Sequence, residues 1–193
     1  WILTSKGKLQ VLSHTSDKYW KRTYQPSSYS GTLGSGQGYP SDKNMWPIFK
    51  NIIDEQHPHL TLINLLDPDA WAHQNNWDRY IQGIQQADKF ALELWNMIQK
   101  DPFYKNKTTL FITNDHGRHL DGVRDGFVSH GDQCEGCQHI QLIALGPDFQ
   151  KGTKVSTQYD LLDLTATIAA MLDITMPTDG VVIQELFQKS SKP

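Results

Sequence analysis

The chain has 193 residues, a formal net charge of −3 and 38% hydrophobic residues. This length and composition are typical of one globular domain with a buried core, and the charge gives no basic surface of the kind that binds nucleic acids. No apolar run reaches the roughly 18 residues that a membrane-spanning helix requires. We therefore expect residues 1–193 to form a single domain with no transmembrane segment and no nucleic-acid partner.

The first residue is Trp1 rather than a methionine. The opening residues also lack the charged and then apolar pattern of a secretory leader. The simplest interpretation is that the sequence is part of a longer protein, and that the N-terminal part of the fold precedes Trp1.

Four short apolar segments predict β-strands. They are Trp1–Thr4, Leu60–Leu66, Thr109–Thr113 and Ile140–Leu145. The last three are nearly continuous hydrophobic runs, a pattern typical of strands that are covered on both faces. We therefore expect a sheet that is buried between other elements.

Three further segments predict helices. They are Met45–Glu55, Trp77–Ile98 and a stretch that begins at Asp160. In the second, apolar side chains recur at steps of three and four residues, which indicates a long amphipathic helix. Asn75 or Asn76 is suited to cap its start, and Asp101-Pro102 to end it. The carboxylate of Asp160 can cap the third helix.

The alternation of strands and helices predicts an α/β fold, with a mostly parallel sheet and helices on both faces. One strand is an exception. Residues 114–139 join two predicted strands without a helical period, so strand 140–145 is expected to run antiparallel to its predecessor. Residues 19–43 are rich in Gly, Ser and Tyr and are expected to form a surface excursion from the domain.

Acidic and histidine side chains follow the ends of the predicted strands. Asp67, Asp69 and His73 follow the first buried strand, Asp115 and His116 follow the second, and His130 lies on the returning loop. Ligands of open α/β sheets bind outside the carboxyl ends of the strands. Imidazoles and carboxylates are ligands of zinc, and two ions about 3.5–4 Å apart can assist an in-line displacement. The pattern indicates a metal site.

Each piece has a simpler interpretation when taken alone. Asp69 and His73 could share a helix face by coincidence, Asp-His-Gly could be a turn in which Gly117 has a positive φ, and His130 could be an ordinary loop residue. Their order and common location favour a site. Asp67, His119 and His139 are close enough in sequence to be partners of the ligands rather than ligands.

The two cysteines, Cys134 and Cys137, form a Cys-x-x-Cys motif. Such a motif can be a redox pair, half of a zinc site or a short-loop disulfide. Because there is no second cysteine pair to complete a four-sulfur site, we favour a disulfide or a simple structural pair. An oxidised pair would favour a periplasmic or secreted location.

These motifs resemble those of the alkaline-phosphatase superfamily, which includes type I phosphodiesterases/nucleotide pyrophosphatases, sulfatases and cofactor-independent phosphoglycerate mutases. The resemblance runs from about residue 60 to 187. It is carried by Pro68-Asp69-Ala-Trp-Ala-His73, Asn114-Asp115-His116-Gly117, Ser129-His130-Gly131, Gly146-Pro147 with Gly152, and Pro177 with Asp179-Gly180. The implied fold is an alkaline-phosphatase-like sandwich.

The resemblance also implies the roles of the site residues. One metal ion would be held by Asp69, His73 and His130, and a second by Asp115 and His116. In the family an Asp completes the second site, and a Ser or Thr acts as the nucleophile. No residue here matches either of these positions, so both are expected upstream of Trp1.

The implied activity is metal-dependent hydrolysis of small-molecule phosphate esters, by a phosphodiesterase or a phosphatase. Three imidazole ligands favour zinc for the two divalent ions, with manganese or iron as alternatives. Two other functions stay open. One is a sulfatase, whose calcium site would prefer oxygen ligands; the other is a catalytically silent metal-binding fragment. The oligomeric state does not follow from the sequence.

Overall fold

The computed structural model describes residues 1–14, 16–31 and 38–188. Contacts divide the chain into two compact units, Trp1–Met97 and Ile98–Pro193. Each unit contains a sheet of its own, with three strands in the first and two in the second. Together with the helices, the parallel sheet and the antiparallel pair confirm the predicted α/β class.

The sheet of the first unit is parallel. Its central strand β1 (Ile2–Thr4) pairs with β2 (Ser28–Ser30) on one side and β3 (Leu62–Asn64) on the other. All three residues of β1 are buried. Leu62 of β3 is 50% exposed, so the prediction that this run is covered on both faces is wrong for that residue.

The predicted excursion at residues 19–43 contains regular structure. A short helix, α1 (Lys18–Thr23), begins after Asp17, whose side chain accepts a hydrogen bond from the Trp20 N–H. Strand β2 follows and joins the sheet. Residues 32–37 of the excursion lie outside the described residues. The sequence of β2, Ser-Tyr-Ser, carries no apolar run, so its pairing depends on backbone hydrogen bonds to β1.

Two long helices pack together in the first unit. Helix α2 (Asp42–Gln56) begins three residues before the predicted start and buries Met45, Trp46, Phe49 and Ile53. Helix α4 (Trp77–Lys100) begins after Asn76, whose side chain accepts from the Arg79 N–H, as predicted, and ends before Asp101. The rings of Trp46 and Phe90 stack with centroids 4.6 Å apart. The helix-spaced apolar residues of α2 and α4 therefore form the core of this unit.

The second unit contains the predicted antiparallel pair. Strands β4 (Leu110–Thr113) and β5 (Leu142–Leu145) align Thr113 with Leu142, so residues 114–141 form one closed loop. That loop includes a 3₁₀ turn at Gly126–Val128 and the short helix α5 (Glu135–Gln138). Ile143 is 46% exposed, so the predicted cover on both faces is wrong for this residue too.

The last helix, α6 (Leu161–Met171), begins with a capping box, as the prediction for Asp160 implied. Asp160 accepts from the Leu162 and Asp163 N–H groups, and Asp163 accepts from the Asp160 N–H. Asp163 also accepts from the Val181 N–H, so one carboxylate ties the returning chain to the start of the helix. None of the described helices is long and apolar enough to cross a membrane.

Candidate metal centre

The first group of predicted ligands lies on helix α3 (Asp67–His73), which follows β3. Pro68 in its first turn favours helix initiation. Asp69 and His73 are one turn apart and therefore share a face, with His73 Nε2 3.1 Å from Asp69 Oδ1. The other oxygen, Oδ2, lies 3.1 Å from the ammonium of Lys6. The Asp69 carboxylate thus already attracts one cationic group and one imidazole.

A buried carboxylate holds the start of α3 in place. Asp42 is 2% exposed, and it accepts hydrogen bonds from the backbone N–H groups of Leu66, at 2.8 Å, and Asp67, at 2.7 Å. Burial raises the pKa of Asp42, although these hydrogen bonds act against the rise. The sequence analysis missed Asp42, because it placed this residue in the surface excursion. An Asp at a helix start, directly after Ser41, was the available signal.

Asp67 was predicted to be a partner of the metal ligands, and the structure places it beside Asp42. Burial raises the pKa of Asp67 to about 6, and the negative charge of Asp42 adds to the rise. The two carboxylates therefore disfavour each other's ionised form. Near neutral pH, this end of α3 holds a carboxyl group that can take up or release a proton.

The Asp-His-Gly segment follows β4 and packs against α5. A Cβ at Gly117 would collide with the backbone carbonyl of Gly136, and the Gly117 N–H donates to the carbonyl of Cys137 at 2.8 Å. Gly117 is not among the glycines with a positive φ. The interpretation that this glycine supplies a left-handed turn is therefore wrong; close backbone approach requires it.

Asn114 connects the two ends of the long loop. Its Nδ2 donates to the carbonyls of His116, at 2.9 Å, and His139, at 3.2 Å, and its Oδ1 accepts from the Gln141 N–H. The side chain of His139 is exposed, so it is the backbone of this predicted partner that takes part. The sequence analysis quoted Asn114 in a motif without giving it a role. Its three hydrogen bonds make it a positioning residue for His116.

His116 and His130 come together in the second unit. Their rings stack with centroids 3.6 Å apart and planes 16° from parallel. His116 Nδ1 lies 2.9 Å from the carbonyl of Gly117; because a carbonyl only accepts, Nδ1 carries the proton and Nε2 the lone pair. The lone pair on Nε2 of His116 is the kind of donor that binds metal ions.

Asp115 differs from its neighbour in environment. Its side chain is 77% exposed, and Oδ1 lies 3.6 Å from His116 Nε2. The carboxylate and the imidazole nitrogen of these adjacent residues therefore lie on the same side of the loop. Adjacent residues can orient in this way on a turn, whereas successive side chains of a strand point to opposite faces.

His119 connects to the segment that carries His130. Its Nδ1 lies 3.0 Å from Asp125 Oδ1, and the Ser129 hydroxyl donates to that same oxygen at 2.6 Å. Arg118 donates to the carbonyls of Phe127 and Val128. These contacts fix the backbone directly before His130, and the role of His119 as a partner of the metal ligands stays a prediction.

Cys134 and Cys137 are free thiols in the structure, which agrees with the predicted simple structural pair rather than with the disulfide that was its alternative. The Cys137 N–H donates to Cys134 Sγ at 3.3 Å, and the Cys134 N–H donates to Asp132. Burial raises the pKa of the Cys134 thiol to about 11, and the Asp132 carboxylate adds to the rise. A redox-active cysteine needs the opposite shift, because the thiolate is the reactive form. The redox-pair interpretation therefore loses support.

The donors fit divalent metal ions chemically. Asp69 and His73 lie in the first unit, and Asp115, His116 and His130 lie in the second. Carboxylate oxygen together with neutral imidazole nitrogen suits zinc, manganese or iron. The two carboxylates would also offset the charge of the ions.

Comparison with known proteins agrees with this chemistry. A family model described as "Metalloenzyme superfamily" matches residues 20–176. The phosphopentomutase of Clostridium novyi (strain NT) is 29% identical over 121 residues, which cover 62% of this chain and 27% of that protein. The phosphopentomutase of Clostridium tetani (strain Massachusetts / E88) is 25% identical over 131 residues, which cover 67% and 29%.

The matched part of the chain spans less than a third of the length of these relatives. The family match, in contrast, includes most of the chain and contains all five predicted ligands. It confirms the alkaline-phosphatase-like resemblance seen in the motifs. The chain belongs to the metalloenzyme superfamily.

Proposed function

We propose that this chain supplies the metal ligands of an enzyme that transfers phosphoryl groups of small-molecule phosphate esters. The observation that carries the proposal is the stack of His116 and His130, with His116 Nδ1 held by the Gly117 carbonyl. With Nδ1 directed at that carbonyl, Nε2 of His116 carries the lone pair that can coordinate a metal ion. Family membership supports a metal-dependent reaction, and the relatives named phosphopentomutase support a phosphate-containing substrate.

The proposed ligand sets follow the family resemblance. Asp69, His73 and His130 would hold one divalent ion, and Asp115 and His116 a second. Bound ions would stabilise the negative charge that develops on phosphoryl oxygens during an in-line displacement. Other residues of this chain would hold the ligands in position. The Gly117 carbonyl sets the tautomer of His116, and Asn114 holds the backbone of the loop that carries it. We further propose that the ions are zinc or manganese.

Two reactions fit such a centre. Hydrolysis would release inorganic phosphate from a monoester, or an alcohol and a phosphate monoester from a diester. The alternative is the mutase reaction named in the relatives, which moves a phosphoryl group of a pentose phosphate from one hydroxyl to another. Both need a nucleophile, and the Ser or Thr of the family's motif has no matching position in this sequence. We propose that this group is supplied from outside the present residues. Between the two reactions we favour hydrolysis on the motif resemblance, and the relatives favour the mutase.

The sulfatase alternative has less support from the donor set. Calcium prefers oxygen ligands, whereas three of the five proposed donors are imidazoles. A silent metal-binding fragment would keep the same ligands and bind metal without turnover. These alternatives differ in their products, so one set of substrates separates them.

The test uses the protein that contains this sequence, loaded with zinc or manganese. Phosphorus NMR of a pentose phosphate shows inorganic phosphate if the protein hydrolyses it, and an isomeric pentose phosphate if it acts as a mutase. Chromogenic phosphate monoester, phosphate diester and sulfate ester substrates cover the remaining classes.

The matched pair of variants is His116→Ala and His139→Ala, since both histidines lie on the same loop. We expect His116→Ala to abolish phosphate-ester turnover and His139→Ala to keep it. Turnover that survives His116→Ala, or that needs no metal, would overturn the proposal. Release of sulfate without release of phosphate would select the sulfatase.

A further inference from the structure

A second group of metal-ligand side chains lies within the second unit, apart from the five ligands above. One donor atom from each of His119, Asp132, Cys134 and Cys137 lies within 4.8 Å of every other. His119 and Cys137 are buried, and the other two are partly buried. Histidine, cysteine and aspartate are the residue types that bind structural zinc.

The orientation of His119 is that of a metal ligand. Its side chain is 1% exposed, and Nδ1 lies 3.0 Å from Asp125 Oδ1. Because a carboxylate only accepts, Nδ1 carries the proton and Nε2 the lone pair. Nε2 is buried without a hydrogen-bond partner among the described residues. A histidine with one nitrogen on a carboxylate and the other on a metal is a recurrent arrangement in zinc sites.

The spacing of the donors also fits zinc. Zinc bonds of about 2.0–2.3 Å place the ligand atoms of a tetrahedron about 3.3–3.8 Å apart. His119 Nε2 lies 3.3 Å from Asp132 Oδ2, which is the separation expected for a nitrogen and an oxygen on one zinc ion. His119 Nε2 and Asp132 Oδ2 are as close as the two atoms of an ion pair, yet they form no hydrogen bond. Coordination of one cation by both atoms accounts for this geometry.

We propose that His119, Asp132, Cys134 and Cys137 form a structural zinc site. Four protein ligands fill the tetrahedron, so no position is left for substrate, and the site is of the closed type. The sequence left half of a zinc site as one interpretation of the two cysteines, but it contains no second cysteine pair to complete a four-sulfur site. The structure supplies His119 and Asp132 in its place.

The local charge agrees with a bound dication. Two thiolates and one carboxylate around zinc carry one net negative charge, and Arg124 Nε lies 3.0 Å from Asp132 Oδ2. That guanidinium would bring the total to zero. Metal binding would release the protons of the two thiols, because cysteine binds zinc as a thiolate.

The position of this site suggests its purpose. His119 follows Gly117 by two residues, and Asp132 follows His130 by two residues. Helix α5, which carries Cys137, packs against Gly117. A zinc ion here would cross-link the segments that present His116 and His130. It would stabilise their stack without touching a substrate.

Cobalt spectroscopy tests the site directly. Zinc is removed from the chain under reducing conditions with a chelator, and Co²⁺ is added. Thiolate ligands give a sulfur-to-cobalt charge-transfer band. The candidate metal centre described above has only aspartate and histidine ligands, so cobalt bound there cannot give this band. We expect this band in the wild-type chain, together with the visible absorption of a tetrahedral ion. A reduced wild-type chain that binds cobalt without the band would overturn the proposal.

Variants assign the ligands and separate this proposal from the previous one. Cys134→Ser combined with Cys137→Ser should lose the band, and His119→Ala should alter or lose it. His116→Ala and His139→Ala should keep it, even if the proposed activity proves to be wrong. Circular dichroism of each variant reports folding, and the wild-type measurement does not depend on any variant. A band that persists in the double cysteine variant would also contradict the assignment.

Discussion

Lys6 Nζ lies 3.1 Å from Oδ2 of Asp69. The ammonium group is therefore paired with a carboxylate oxygen that the proposed first metal ion would need as a ligand. Both side chains are partly exposed, and an ion pair in such a place contributes at most about 1 kcal/mol. A bound dication would compete with Lys6 for this oxygen. The lysine thus either competes with the metal ion for Asp69 or moves away when the ion binds.

Removal of the ammonium should strengthen metal binding. We expect Lys6→Met to lower the dissociation constant for Zn²⁺ or Mn²⁺ by up to about fivefold, because the lysine no longer competes for Asp69. Isothermal titration calorimetry measures the change. Lys8→Met, at an exposed lysine two residues away, is the control and should have no effect. Weaker binding in Lys6→Met would show that the lysine supports the site instead.

Gly117 should tolerate no side chain. We expect Gly117→Ala to lower the free energy of unfolding by about 3 kcal/mol, because the new Cβ meets the Gly136 carbonyl and the backbones must separate. Urea unfolding followed by circular dichroism measures this. Gly122→Ala is the comparison: its Cβ would meet open space, and its φ of +78° costs about 1 kcal/mol. Equal losses for the two variants would argue against close packing at Gly117.

Asn114 should matter for metal affinity more than for stability. Without its side chain, the carbonyls of His116 and His139 and the Gln141 N–H lose their partner. We expect Asn114→Ala to weaken metal binding about 10- to 100-fold, as is typical when a supporting hydrogen bond of a ligand is removed. Asn51→Ala, at an exposed asparagine of α2, should leave the affinity unchanged. An unchanged affinity in Asn114→Ala would remove this residue from the list of positioning residues.

The capping box of α6 should make stability depend on pH. Hydrogen bonds from the Val181 and Asp160 N–H groups lower the pKa of Asp163 in the folded chain, below the ordinary value of 3.8. A lowered folded-state pKa contributes stability that is present above the unfolded value and is lost as the pH falls through the folded value. The Asp163→Asn variant should therefore be less stable than wild type at neutral pH, and this difference should shrink below about pH 4.

Denaturant unfolding at several pH values measures that difference. Asp88→Asn, at an exposed residue of α4, provides the control for a general change of charge. A difference between wild type and Asp163→Asn that stays constant from neutral to acid pH would show that the ionised form of Asp163 is not what stabilises the helix start.

The local features of the fold were predictable, because they depend on neighbours in sequence. The cap at Asn76, the cap at Asp160 and the antiparallel return of β5 follow from capping chemistry and from a connection without a helix. The exposure of Leu62 and Ile143 was not predictable, since an apolar run does not show whether another element packs on each face of its strand. Strand β2 was missed for a related reason, because its pairing depends on β1 and not on its own side chains.

The candidate site shows the same division. The pairing of Asp69 with His73 follows from helical spacing, and the motifs placed His116 and His130 in one family pattern. The role of Asp42 depends on its contact with the backbone of Leu66, which is 24 residues away. The association of His119 with the two cysteines likewise depends on how the loop folds back. Contacts of this kind carry no local signal, so only the structure reveals them.

The alignment of Thr113 with Leu142 has a consequence for the order of folding. β4 and β5 cannot pair until the loop between them has closed. Closure of a long loop costs entropy before any contact between the strands can offset it. The hydrogen bonds of Asn114 lie at the neck of that loop. Completion of the β4–β5 ladder and arrival of His116 and His130 at their final separation are therefore expected to be one kinetic event. A nascent chain would gain its imidazole pair only when the sheet of the second unit is complete.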